Sequence, residues 1–245
     1  MTDNERFLSA WRRVALEEEL SSGIGTLAER SMHKLLKLYY EPQEKYHEVE
    51  FLGSVADIMR DGRITEIQTG ALSALSRKLE RFLPVCPVTV VHPIIEGKTL
   101  CTVSKDGRVT RRKSPARGNI YSVAFELYKL RGLLLSNNLT VKLVFLDCDE
   151  YRRQGTGRRR GEKLNTVPRS INSELVLREK CDYLAFLPDG LPREFTADVF
   201  LRAVKSRSRY DYYALRLLVY LGILSREKSE GRAYIYKRID TPQEM

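Results

Sequence analysis

The chain is poor in the residues that disulfide scaffolds and zinc modules depend on. Its 245 residues include four scattered cysteines, Cys86, Cys101, Cys148 and Cys181, with no CxxC pair. That argues against a structural zinc site and against a disulfide framework, and it fits a reducing cytosol. Histidine is scarce too, at three residues, so histidine-metal chemistry has little to build on. No apolar run approaches the ~18 residues of a membrane span. The N-terminus is charged from its third residue, unlike a signal peptide. A cytoplasmic protein with no membrane partner is expected. No GxSxG element appears, so a serine hydrolase has no support. Gly155-Thr156-Gly157 runs into arginines rather than a Walker pattern, so no phosphate-cradling loop is predicted.

What the chain does have is basic charge, unevenly placed. The formal net charge is +10. Residues 1–150 hold 22 basic and 20 acidic side chains, whereas residues 151–190 hold 9 and 5, and residues 191–245 hold 11 and 7. A nearly neutral front and a basic back suggest a polyanion-binding second half, with nucleic acid the usual partner. The length suits one domain of about 150 residues with a smaller second one.

Hydrophobic periodicity predicts the elements. Residues 4–20 read as an amphipathic helix, broken at Ser21-Ser22-Gly23. A second helix runs from about Thr26 to Tyr40 and ends before Pro42. Three short strands follow, Tyr46–Leu52, Val55–Met59 and Arg63–Thr69, the last two joined at Asp61-Gly62, a strong hairpin signal. Gly70 opens a helix stopped by Pro84. Val85–Ile95 is a β-branched apolar run, read as a buried strand whose regular part Pro87 and Pro93 confine to its middle. Lys98–Arg112 looks like an inserted hairpin, Asn119–Leu135 a helix, and Leu139–Leu146 another buried strand. This order is an α/β core, expected to close before residue 150. Residues 151–170 carry seven basic residues and one acid and read as a mobile linker, with a helix expected within 171–190. From Glu194 onward come two helices, the first capped by Thr196, and a hairpin.

The informative cluster is Asp57 with Glu66-Ile67-Gln68. Side chains two apart on a strand share a face, so Glu66 and Gln68 point one way. The Asp61-Gly62 hairpin brings Asp57 beside them. Two carboxylates can then converge on a hard divalent ion, which prefers oxygen ligands and can stabilise charge on a phosphate. Spacing alone equally allows both to be solvated strand residues. Glu29 and His33 share a helix face, either as a local surface pair or beside this site. His47-Glu48-Val49-Glu50 offers other carboxylates. His92, before Pro93, reads as structural.

These residues in this order resemble the PD-(D/E)XK nuclease superfamily, over roughly residues 24–147. Its core is a helix, three antiparallel strands, a helix and a further strand, with an acid closing the second strand and Glu-x-Lys in the third. Asp57 matches the first acid and Glu66 the second. Gln68 stands where lysine is usual; glutamine hydrogen-bonds but carries no charge. The resemblance implies a restriction-endonuclease-like mixed sheet flanked by helices. It implies a nuclease acting on DNA with Mg2+ or Mn2+, held by Asp57, Glu66 and the Ile67 carbonyl. Gln68 would position water, and Glu29, at the place of a first-helix glutamate in many members, would hold a metal-bound water or second ion. The C-terminal pattern resembles the end of a winged helix-turn-helix domain.

The implied organisation is an N-terminal helix (1–23), a nuclease-like domain (24–150), a basic linker region (151–190) and a winged-helix-like domain (191–245). Arg152, Arg153, Arg158, Arg159, Arg160 and Lys163 suit phosphate contacts. Arg207, Arg209, Tyr210, Tyr212 and Arg216 lie at or in the helix that would enter a major groove, and Lys228 and Arg232 flank the expected wing tip. The rival readings are an inactive nuclease-fold DNA-binding protein and a protein-interaction module that uses the winged domain. Oligomeric state is left open.

Overall fold

The computed structural model describes residues 2–20, 28–155, 161–205, 208–228 and 233–239. Its centre is a seven-stranded mixed sheet with helices on both faces. Helices α1 (Asp3–Leu20) and α2 (Ala28–Tyr40) precede an antiparallel meander of β1 (His47–Phe51), β2 (Ser54–Arg60) and β3 (Arg63–Ile67). Both meander turns hold two successive positive-φ residues, Leu52-Gly53 and Asp61-Gly62, the geometry whose twist matches a tight two-residue hairpin.

A 3-10 turn (Leu72–Leu75) and α3 (Ser76–Phe82) lead to β4 (Val88–Val103), parallel to β3. β5 (Val109–Lys113) folds back on the far end of β4. A second 3-10 turn (Ile120–Val123) and α4 (Ala124–Lys129) return the chain to β6 (Leu139–Arg153), which runs parallel to β4 along its whole length. β7 (Lys163–Leu177) pairs antiparallel with β6, giving the order β1-β2-β3-β4-β6-β7 with β5 on β4. The central strands are buried on both faces, which explains their continuous apolar runs. Val90 and Leu143 face α3, α4 and the C-terminal residues. Val91 and Val144 face α1 and α2.

Two expectations change. β4 does not stop at Pro93 but continues for ten more residues. On β4, the Val91 carbonyl points toward β3, where it accepts from Gln68 N–H. Pro93, two residues on, turns the same edge outward, beyond the end of β3, so its missing N–H leaves no ladder bond unmade. The second change concerns residues 151–190. Instead of a linker, β6 continues to Arg153 and Lys163–Leu177 forms β7; the helix expected within 171–190 is a 3-10 helix at Lys180–Phe186. The alternation in β7 is masked by polar residues because much of this strand faces solvent. Pro168 is accommodated beside a register irregularity between Asp147 and Cys148.

After β7 come a 3-10 helix (Lys180–Phe186), β8 (Glu194–Thr196), α5 (Ala197–Ala203), α6 (Tyr213–Tyr220), β9 (Leu224–Lys228) and β10 (Tyr234–Arg238). The last three strands form a small sheet in the order β8-β10-β9. Thr196 Oγ1 accepts the Val199 N–H and caps α5. The core is not closed at residue 150. Phe195, Phe200, Leu217, Leu218 and Tyr236 are continuous with Leu79, Leu127 and Leu143 in one buried cluster. Phe200 meets Tyr121 edge-on at 5.9 Å between ring centroids, and Tyr213 meets Phe125 at 4.5 Å.

A chain ended at Gly190 should therefore fail to fold. Each large apolar side chain uncovered costs roughly 1.5–3 kcal/mol, against a typical total stability of ~5–15 kcal/mol. Urea titration should show no cooperative transition for the shortened chain. A sharp transition like that of the full chain would show that the sheet closes without residues 191–245.

Candidate functional site

β2 and β3 pair regularly from Arg60↔Arg63 to Ile58↔Thr65. Past that point side chains take over the cross-strand bonding. Ile67 N–H donates to Asp57 Oδ2 at 2.7 Å, and Asp57 N–H donates to Glu66 Oε1 at 3.4 Å. Each carboxylate thus holds the backbone of the other's strand. This happens where β3 pairs in parallel with β4 through Ile67↔Val91. The carboxyl end of parallel strands is where ligands bind in open α/β sheets.

Other residues complete the constellation. Lys78, in the first turn of α3, reaches back to Glu66 Oε2 with Nζ 2.5 Å away. His33 of α2 has Nε2 3.2 Å from Asp57 Oδ2. A carboxylate only accepts, so the proton of that bond belongs to the imidazole. His92 Nδ1–H donates to the Gln68 carbonyl at 2.6 Å and pins the end of β3. The Gln68 side-chain amide donates to the Ala71 carbonyl at 2.9 Å. Asp57, Glu66, Ile67, Gln68, Lys78 and His33 all line one cleft of about 930 Å³. Lys37, paired with Glu48, lies on its wall.

The two carboxylates differ electrostatically. Burial opposes the charge of Asp57, but the His33 bond and charge, the Ile67 N–H and Lys78 outweigh it and hold the group below its ordinary range. Glu66 is only 1% exposed. Burial raises it against the pull of Lys78, the Asp57 charge adds to the rise, and the group is pushed up to about 7. One site therefore presents a firmly ionised acid beside one poised near neutrality.

As donors, two carboxylates and the Ile67 carbonyl suit a hard cation such as Mg2+ or Mn2+, which keeps several waters. Among the described residues no group of three His, Cys, Asp or Glu side chains is placed to hold a metal. Glu29 lies in the first turn of α2, with its side chain outside the described residues.

The candidate phosphate-binding residues are dispersed. Arg152 and Arg153 end β6, and Lys163 begins β7 opposite Arg152. Arg152 is committed to Glu150, with Nε 2.5 Å from Oε1, and Arg153 Nη1 lies 3.6 Å from Glu162 Oε2. Arg158, Arg159, Arg160, Arg207 and Arg232 lie outside the described residues. Arg209 stacks on Tyr210, whose ring is 5.0 Å from that of Phe125 on α4. Tyr212 and Tyr236 share a hydroxyl–hydroxyl bond of 2.9 Å. Arg216 lies over Tyr128 and Tyr213, and Lys228 ends β9 in solvent. The α6 helix thus lies against α4, with Ala214, Leu215, Leu217 and Leu218 buried.

β5 is the second arm of the expected inserted hairpin, but sequence reasoning singled out neither Lys78 nor the β5 cations Arg111, Arg112 and Lys113. Lys78 left no cue: residues 68–75, with a 3-10 turn among them, separate the end of β3 from the start of α3, and that span fixes no geometry until the helix is docked. For the β5 cations the cue was charge, since Lys98–Arg117 contains seven cations and one acid.

The fold and site define an α/β protein with a paired-carboxylate cleft at the end of its parallel strands. A family model described as a domain of unknown function (DUF8091) matches residues 30–178, from α2 through the end of β7, and the chain belongs to that family. A protein of Treponema pallidum (strain Nichols), described as uncharacterized, is 30% identical over 221 residues, covering 88% of this chain and 87% of its own. No solved structure matches the chain.

Protonation of Glu66 has a stability consequence in metal-free buffer. Its folded value, about 7, lies above the ordinary 4.5, so between these pH values the unfolded chain binds fewer protons and stability falls as pH rises. Glu66→Gln should remove that fall. Urea midpoints measured with EDTA from pH 4.5 to 7.5 test it; parallel profiles for the two proteins would refute the assignment.

Proposed function

We propose that the protein is a divalent-metal-dependent nuclease that hydrolyses DNA phosphodiester bonds. The observation that carries this reading is the convergence of Asp57, Glu66 and Lys78 in one cleft. The order of elements around it supports the reading: α2, the meander β1-β2-β3, α3, and β4 parallel to β3, as in the PD-(D/E)XK superfamily. Lys78 offers the cationic amine that Gln68 lacks, delivered from the next helix rather than from the strand.

In this reading Asp57, Glu66 and the Ile67 carbonyl would hold Mg2+ or Mn2+. When bound, the ion would offset charge gathering on the phosphate. His33 orients Asp57 and keeps it ionised. Lys78 opposes the rise that burial gives Glu66 and presents positive charge to a phosphate oxygen. Gln68 hydrogen-bonds at the rim, and Glu29, as the resemblance implies, would hold a metal-bound water or second ion. DNA would lie along the basic ribbon of Arg153, Lys163, Arg111 and Arg112. The C-terminal part supports a winged-helix reading: a 3-10 helix, β8, α5, α6 and a β9–β10 hairpin, with β8 beside β10. In that role Arg209, Tyr210, Tyr212, Arg216 and Lys228 are DNA contacts.

The direct Lys78–Glu66 pair favours a second reading, an inactive nuclease core that binds DNA, because it satisfies Glu66 without a cation. Incubation with linear, nicked, branched and single-stranded DNA in Mg2+ or Mn2+ separates the two. Asp57→Ala should abolish cleavage and leave DNA affinity nearly unchanged. Lys78→Ala should lower the rate by about 10²-fold or more, and adding Gln68→Lys should recover part of it. Equal cleavage by wild type and Asp57→Ala would sink the nuclease assignment. Metal-independent binding without cleavage would favour the second reading.

A further inference from the structure

Where α4, α6 and the β9–β10 hairpin meet, arginines and tyrosines alternate across the surface. Arg131 lies over the rings of Tyr128 and Tyr220, at 4.5 and 5.5 Å from their centroids. Arg216 lies over Tyr128 at 4.9 Å and Tyr213 at 5.3 Å. Arg226 lies over Tyr234 at 4.5 Å. A cleft of about 180 Å³ opens among Tyr128, Arg216, Tyr220 and Arg226. Tyr220 and Tyr234 are 53% and 43% exposed.

Two features make this more than the packing of α6 on α4. Tyr220 and Tyr234 leave much of their rings in water although they contribute nothing to the buried core. Among the described residues, none of Arg131, Arg216 and Arg226 forms an ion pair with a carboxylate. One Arg131 N–H donates to the Tyr128 carbonyl at 3.0 Å and Arg226 hydrogen-bonds the Tyr236 hydroxyl, but a guanidinium with one face on a ring has five N–H donors, so further rim N–H groups remain for anionic oxygens. The surface therefore suits a ligand that carries both flat π-faces and negative charge at short intervals. Duplex DNA supplies the charge but hides its base faces. An acidic peptide supplies charge without planar rings. A strand with unpaired bases supplies both.

We infer that this surface binds single-stranded nucleic acid, with bases stacked on Tyr220 and Tyr234 and phosphates held by Arg131, Arg216 and Arg226. The inference deepens the nucleic-acid part of the proposed function by naming the form of the strand, and it does not depend on cation chemistry at Asp57 and Glu66. It also gives the exposed side of α6 a task other than entering a major groove.

Fluorescence anisotropy of the full chain in EDTA, where cleavage cannot intervene, tests it. The probes are labelled oligo-dT and oligo-U of about 15 nucleotides and a mixed-sequence duplex of the same length. Oligo-dT or oligo-U should bind more tightly than the duplex, and the stronger of the two identifies the sugar. Tyr220→Ala and Tyr234→Ala should each weaken single-strand binding about tenfold, while Tyr220→Phe, which keeps the ring, should not. Arg226→Ala should shallow the log–log salt slope by about 0.7. Melting temperatures close to wild type would show that the tyrosine variants fold; because the two rings lie on different elements, either variant alone suffices. The inference is overturned if neither single strand binds, if the duplex binds as tightly or more tightly, or if both alanine variants keep wild-type affinity. Loss of cleavage in the earlier assay with these affinities intact would leave it standing.

Discussion

A carboxylate as enclosed as Glu66 stays in a folded chain only if something answers its charge. Lys78 does so from α3, and the Asp57 N–H does so from β2. Much of the local architecture follows from that requirement. The first turn of α3 must sit over the end of β3, so the crossover to β4 must be short. The ladder between β2 and β3 must open before Asp57, because Asp57 and Glu66 use the backbone donors that regular pairing would consume. Removing only one partner of such a pair would leave a buried charge unanswered, which is more damaging than replacing both. His92 secures the same corner from β4 by gripping the Gln68 carbonyl.

The parts of this arrangement that are local in sequence were legible. Asp61-Gly62 marks its hairpin because the turn requires two successive positive φ angles, and glycine after aspartate accepts them readily. The hairpin sets Asp57 near Glu66, so the carboxylate pair could be read from spacing. Lys78 was not legible, since a twelve-residue separation across a turn and a helix carries no fixed geometry until the helix is docked. β7 was misread for a related reason. Its partner, β6, supplies the hydrogen bonds, and its polar outer face carries little of the alternation that marks a strand. Pro93 misled in the opposite direction: proline ends a strand only where its N–H would have met a partner, and here that edge of β4 has already been left by β3.

The C-terminal residues also look separate in sequence because their charge and periodicity change near Glu194. In the structure their apolar side chains complete one face of the central sheet, and α4 is held between that sheet and α6. Glu126 on α4 accepts from the Ser73 N–H and hydroxyl in the 3-10 turn that precedes Lys78. The same short helix therefore borders the tyrosine–arginine surface on one side and the Glu66–Lys78 corner on the other.

β4 and β6 are paired without a break in hydrogen-bonded contact except for one bulge near Gly97, from Val88↔Leu139 to Val103↔Arg153. Val103 lies twelve residues beyond Val91, the neighbour of Ile67. At ~3.3 Å per residue that is about 40 Å. This length is a ruler engraved in the backbone. No exchange of side chains can shorten or lengthen it, and it changes only in steps. Adding two residues to both strands would keep every side chain on its own face and move the ribbon tip outward by roughly 7 Å. Adding a single residue would turn the outer ribbon inside out.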